Sequence, residues 1–167
     1  MTMALSEQDL ERIESFRDFV ETSCAGDDRY GSPSRHDRED GSILATRFEA
    51  GPQCWFEMAI RPNIPQIRVG FLTDDRWKSE EIEQAIEDSG DTMQEFVELG
   101  FEEAGLEWPD PIVEHFREAG KYFYFSTPLT LDELAGLDQD EVRNKALRML
   151  EGYLIAFGPA IVVEEEE

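Results

Sequence analysis

Two histidines, two cysteines and 39 carboxylates are the side chains here that could do chemistry. His36 and His115 lie about eighty residues apart, and neither has a second His or Cys at metal-ligand spacing. The chain contains no HExxH, CxxC or GxSxG, and no glycine-rich phosphate loop follows a strand. Acidic pairs abound, as at Asp27-Asp28, Asp74-Asp75, Glu80-Glu81 and Glu102-Glu103, but so many carboxylates in one chain produce such pairs by composition. Asp138-Gln-Asp-Glu141 resembles a piece of a calcium loop without its central Gly or twelfth-position Glu, and helix capping explains it better. His36, in a polar loop, reads as a solvated histidine, and His115 as a packed or exposed strand histidine. The expectation is therefore no catalytic residue, no metal site and no cofactor: not an enzyme.

The aromatic residues carry more. Lys121-Tyr-Phe-Tyr-Phe125 is the densest aromatic run, with Tyr122 and Tyr124 facing one way and Phe123 and Phe125 the other. Such a strand is covered on both sides or lies at an interface. Trp55 falls on the outward side of an earlier run. Trp55, Tyr122 and Tyr124 are the candidate partner-binding residues, since exposed aromatics on a sheet face mark an interaction patch. Lining a ligand cleft is the alternative for the same three.

Charge narrows the partner. The chain has 39 acidic and 15 basic residues and a formal net charge of −24. Such a surface repels nucleic-acid phosphates and anionic membranes, so neither is expected as a partner. A salty cytoplasm or recognition of a basic protein would each suit it. Cys24 and Cys54 form no disulfide framework, and Cys54 sits in an apolar run that suggests a buried thiol. No secretory leader or membrane span is evident, and the expected location is cytoplasmic.

The elements that must position these residues follow from periodicity. Ser6 with Asp9 forms a capping box, and Leu10, Ile13, Phe16 and Val20 then recur at helical spacing as far as Cys24–Gly26. Residues 25–42 are polar and aperiodic, and read as a loop. Three alternating runs follow: 43–49, with Leu44, Thr46 and Phe48 on one face; 54–60, with Cys54, Phe56, Met58 and Ile60; and 66–72, with Ile67, Val69 and Phe71. Period-two alternation between short turns predicts an antiparallel meander. Helices are expected over 79–88 and from an Asp91 cap onward, separate or merged into one kinked helix. Residues 112–117 could be strand or helix, and the Glu118–Lys121 turn favours a hairpin with KYFYF. Pro128 should stop that strand, Thr130–Glu133 and Asp138–Glu141 should cap helices, and Gly158-Pro159 should end the last one. Residues 160–163 would add an edge strand, and 164–167 an acidic tail. The sum is one α+β domain over 1–167: an antiparallel sheet of about five strands packed with helices, in the order α-βββ-α(α)-ββ-α.

This order, with Tyr122-Phe-Tyr-Phe-Ser-Thr-Pro-Leu-Thr-Leu-Asp-Glu-Leu134 and the helix after it, resembles the type III secretion chaperone-like fold of secretion chaperones and YbjN-like proteins. The resemblance implies a small acidic homodimer that binds another polypeptide and does no chemistry. The reading is therefore a non-enzymatic protein-binding or chaperone-like domain whose partner is unknown. The alternatives are a small-ligand domain or enzyme with an aromatic-lined cleft, and an acidic mimic that blocks a basic protein.

Overall fold

The computed structural model describes residues 5–162 as an α+β fold with four helices and one six-stranded antiparallel sheet. In chain order these are α1 (Glu7–Ala25), β1 (Pro33–Arg35), β2 (Leu44–Gly51), β3 (Cys54–Arg61), β4 (Gln66–Thr73), α2 (Arg76–Ser89), α3 (Met93–Glu103), β5 (Glu114–Glu118), β6 (Tyr122–Thr130), a 3-10 turn (Leu134–Asp138) and α4 (Asp140–Val162). The sheet order is β1-β2-β3-β4-β6-β5. The acidic tail at 164–167 lies outside the described residues.

The meander forms as its alternation dictates. Thr46 opposes Met58, which opposes Val69, which opposes Thr127, so the inward residues of four strands stack in one row. Helices α1, α2 and α4 pack on this face, and α3 packs on α4. Phe157 of α4 stacks on Phe71 with ring centroids 5.4 Å apart, and Tyr153 bonds Thr127 at 2.7 Å. From α1 come Phe16 and Val20, and from α2 come Ile82 and Ile86. Full burial of each such side chain contributes about 1.5–3 kcal/mol. Helices α3 and α4 cross closely: a Cβ on Gly100 would collide with the Gly152 carbonyl, and one on Gly152 would collide with the Phe101 ring. Leu10, expected on the α1 stripe, is left half exposed, and the buried stripe is Ile13, Phe16, Arg17, Val20 and Cys24.

Several boundaries differ from the sequence reading. The sixth strand comes from inside the polar 25–42 segment, where Pro33–Arg35 pairs with Thr46–Phe48. This strand is exposed throughout, so it shows no alternation. Long-range pairs hold the segment instead: Arg35 bonds Glu14 and Glu21 of α1 at 2.9 Å each, and Arg17 grips Asp37 bidentately at 2.9 and 3.0 Å. Pro128 does not stop β6, which continues to Thr130 beside β4. Strand β5 ends opposite Ser126, so beyond that point β6 is an edge strand on that side, where a missing N–H is tolerated.

Thr130 therefore belongs to β6 and caps nothing, and Glu133 precedes the 3-10 turn with no side-chain cap. Asp138 closes that turn and gives its carboxylate to Arg12 at 2.8 Å. Helices α2 and α3 are separate, with Gly90 left-handed between them, and the cap of α3 is Thr92 with Glu95 instead of Asp91. Helix α4 runs through Gly158 and Pro159, which rules out a strand at 160–162. Phe157 and Ile161 are both buried on one face of this last stretch, and their packing outweighs the one backbone bond that proline forfeits.

Residues 112–117 resolve as expected into strand: Glu114–Glu118 pairs with Tyr122–Ser126 as a hairpin.

Candidate functional site

Among the described residues no helix lies over the other face of the sheet. A face of this kind normally alternates to solvent-exposed polar groups. Here its central positions are dry: Glu57 is 2% exposed, Arg68 4%, Arg47 7% and Tyr124 1%.

Curvature provides the cover. Strands β1 and β5 are opposite edges, five inter-strand spacings apart, which is about 24 Å in a flat sheet. Yet Arg38, on the turn after β1, lies 3.9 Å from Glu118 at the end of β5. Two side chains do not bridge a flat sheet, so the sheet curls and the helix-free face is concave. Gly70 permits part of this, because a Cβ there would strike the backbone of Phe125 and Ser126 on β6.

Within the hollow lies a network. Arg47 on β2 opposes Glu57 on β3 in register and donates from Nε to its Oε2 at 3.0 Å. Arg47 Nη2 donates to the Tyr124 hydroxyl at 3.0 Å, and that hydroxyl donates to Glu57 Oε2 at 3.1 Å. Arg68 Nη2 sits 3.5 Å from the other oxygen, Glu57 Oε1. Rings close the network from outside. Phe116 and Tyr124 stack almost parallel at 5.0 Å, and the Arg68 guanidinium lies 4.9 Å from the Tyr124 centroid. The Arg47 guanidinium lies 4.5 Å above Tyr122.

Burial opposes ionisation of the Tyr124 phenol, as does the Glu57 carboxylate, and its pKa is well above the usual value. For Arg47, burial works against the charge, but Tyr124 and Glu57 outweigh it, and the guanidinium stays charged. A buried pair of this kind adds little net stability, but losing one partner strands the other.

The three expected site residues share this face but not one role. Trp55 and Tyr122 meet edge to face, with centroids 6.2 Å apart, and are half buried at one end of the hollow. Tyr124 is buried, and its hydroxyl belongs to the network. Sequence reasoning missed Arg47, Glu57, Arg68, Phe116 and Glu118. The available signal was alternation: Arg47, Glu57 and Arg68 each occupy an outward strand position with opposite charge on a neighbouring strand.

The hollow contains a cleft of about 260 Å³, lined among others by His36, Arg38, Arg47, Glu57, Glu118 and Tyr124. His36 is exposed at its edge, bonded to Ser34 at 2.9 Å, and its pKa is lowered by burial and by Arg47. A larger groove of about 650 Å³ lies elsewhere, between the end of β6 and the start of α4. His115 is on the helix-covered face, stacked on Phe125 at 4.0 Å, with one ring nitrogen on the Tyr124 carbonyl and the other on Glu83. Both cysteines are buried, as expected for Cys54. Burial pushes the Cys24 thiol up to about 12.

Among the described residues no group of three His, Cys, Asp or Glu is placed to hold a metal ion, and no helix is long and apolar enough to cross a membrane. Comparison with protein-family models, curated proteins and solved structures gives no match to this chain.

Proposed function

We propose that this chain is a non-enzymatic binding domain that engages another polypeptide through its helix-free sheet face. The supporting observation is the half-buried Trp55–Tyr122 pair, set at the end of that face against a fixed Arg47–Glu57–Tyr124 network. Rigid rings beside a locked scaffold present area at little entropic cost, which favours anchoring a partner. The network consumes the polar groups that general acid–base chemistry would need, since Glu57 and Arg47 are bonded to each other and to Tyr124.

Charge favours a basic partner. Residues 74–110, which include α2 and α3, contain fourteen carboxylates against Arg76 and Lys78. This flank also leaves Trp77 75% exposed and Leu99 53% exposed. Carboxylates gathered on one element pair also fit the acidic-mimic reading. On either reading long-range attraction guides the encounter and weakens with salt.

The chaperone-like reading adds a cytoplasmic homodimer, in which Leu10, Trp77 and Leu99 are apolar residues available to a second copy. Sedimentation equilibrium at high concentration tests this part, with twice the 19.2 kDa chain mass expected and a monomer excluding it. Affinity capture with Trp55→Ala and Tyr122→Ala tests the binding face. The small-ligand alternative draws its support from the 260 Å³ cleft.

A further inference from the structure

Strand β6 ends in an open edge beside a groove. The Leu131 N–H donates to the Pro65 carbonyl at 3.1 Å, on the β4 side. Backbone groups of successive strand residues point to alternate edges, so those of Thr130 and Pro128 point away from β4. On that side Ser126 is the last residue paired with β5. The Thr130 N–H and the carbonyls of Pro128 and Thr130 therefore have no partner among the described residues. Pro128 has no N–H to offer, which keeps the open edge short and limits indiscriminate strand pairing.

The groove of about 650 Å³ runs past this edge, lined by Leu129, Thr130 and Leu131 and by the start of α4. It combines apolar Leu129, Leu131 and Val142 with the carboxylates of Asp132, Glu133 and Glu141. These three acids are exposed, and none pairs with a cation among the described residues. Lys145, the one cation lining the groove, has its Nζ 4.2 Å from the Trp108 ring centroid. Three unpaired carboxylates thus face one ammonium that already rests on a ring.

We propose that this groove takes an extended basic segment of another polypeptide, whose backbone pairs with Thr130 and whose Lys or Arg side chains meet Glu133 and Glu141. The Thr130 N–H needs a carbonyl, and the two free carbonyls need N–H donors. A peptide backbone supplies both, and a polyamine or a metal cation supplies no carbonyl. Every second side chain of the added strand faces the helix-covered side, where Leu129 and Val142 offer apolar contact. A second copy of this chain is a poor occupant, because it would bring the same three carboxylates to the same edge. Thr130 lies at the far end of β6 from Tyr122, about 26 Å along the strand. The groove is thus separate from the Trp55–Tyr122 pair and holds whether or not that pair anchors a partner.

The test uses the full chain and the peptide acetyl-Lys-Leu-Lys-Val-Lys-Leu-amide at low ionic strength, with amide hydrogen exchange followed by NMR. In the free protein Thr130 should exchange faster than Leu131, which is bonded to Pro65. Peptide should slow Thr130 about tenfold or more, and spermidine, which carries charge without carbonyls, should not. The double variant Glu133→Gln, Glu141→Gln should weaken peptide binding about three- to tenfold. The pair Glu80→Gln, Glu87→Gln removes the same charge outside the groove and should change binding less than about twofold. Trp55→Ala should leave it unchanged, and loss of binding there would put the peptide on the sheet face instead. Unaltered Thr130 exchange with peptide, equal slowing by spermidine, or equal weakening by the two glutamine pairs would overturn the proposal.

Discussion

Arg38, on the turn after edge strand β1, and Glu118, at the end of the opposite edge strand β5, have side chains 3.9 Å apart. That approach turns an open sheet face into a hollow. Curvature places Arg47, Glu57, Arg68 and Tyr124 out of water, with no helix above them among the described residues.

Glu57 pairs with the buried Arg47 and faces the buried Arg68, so its charge is costly to lose. Glu57→Gln should destabilise the fold by about 3–5 kcal/mol, the range for breaking a buried ion pair. The triple replacement Arg47→Met, Glu57→Leu, Arg68→Met should recover most of the loss, because no charge is then stranded. Urea unfolding of the three proteins checks both statements. A Glu57→Gln variant within 1 kcal/mol of wild type contradicts the network as described.

The sequence carried the inward rows of the sheet plainly. Thr46, Phe48, Phe56, Met58, Val69 and Phe71 alternate, and they meet where alternation puts them. Trp55, Tyr122 and Tyr124 were correctly placed on one outer face, but Tyr124 proved buried. Burial there depends on sheet curvature, and curvature leaves no period in a sequence. Strand β1 was hidden for a related reason: all three of its residues are exposed, and its neighbourhood is held by Arg35 and Asp37 reaching α1, contacts that are distant in the chain. Helix α4 outran Pro159 because buried Phe157 and Ile161 decide its length, while the local signal reads as a stop.

Two glycines of α4 should respond differently to alanine. At Gly152 a Cβ meets the Phe101 ring and the close α3–α4 crossing, so Gly152→Ala should cost about 1–3 kcal/mol as an overpacked site. Gly158 has nothing within 4 Å of its Cβ position and lies in the same helix. Because Gly158 precedes Pro159, whose Cδ crowds a preceding Cβ in helical backbone, the propensity gain is offset and Gly158→Ala should stay within about 1 kcal/mol of wild type. Thermal denaturation of the pair checks the difference.

Acid should weaken the α1–β1 contact. Hydrogen bonding from Arg35 outweighs burial and lowers the Glu14 pKa, and at Glu21 burial is outweighed by bonds from Arg35 and Thr46. Both carboxyls bind protons more readily when unfolded. Their contribution is thus complete above the ordinary value of 4.5 and disappears as pH falls through the lowered folded values. Melting temperature followed from pH 6 to pH 3 should fall more steeply for wild type than for Arg35→Ala.

The cysteines should be silent in the native state. Cys24 and Cys54 are buried, and the Cys24 thiol titrates at about 12. At pH 8, a disulfide reagent should label neither until denaturant is added. Rapid labelling of one thiol in native buffer would contradict its burial.

The binding face is tested most directly by capture from a native lysate with tagged wild type, Trp55→Ala, Tyr122→Ala and Trp77→Ala, at low and high salt. A polypeptide should be retained by wild type and Trp77→Ala, lost with Trp55→Ala or Tyr122→Ala, and released as salt rises. A partner held equally by all four proteins would contradict it.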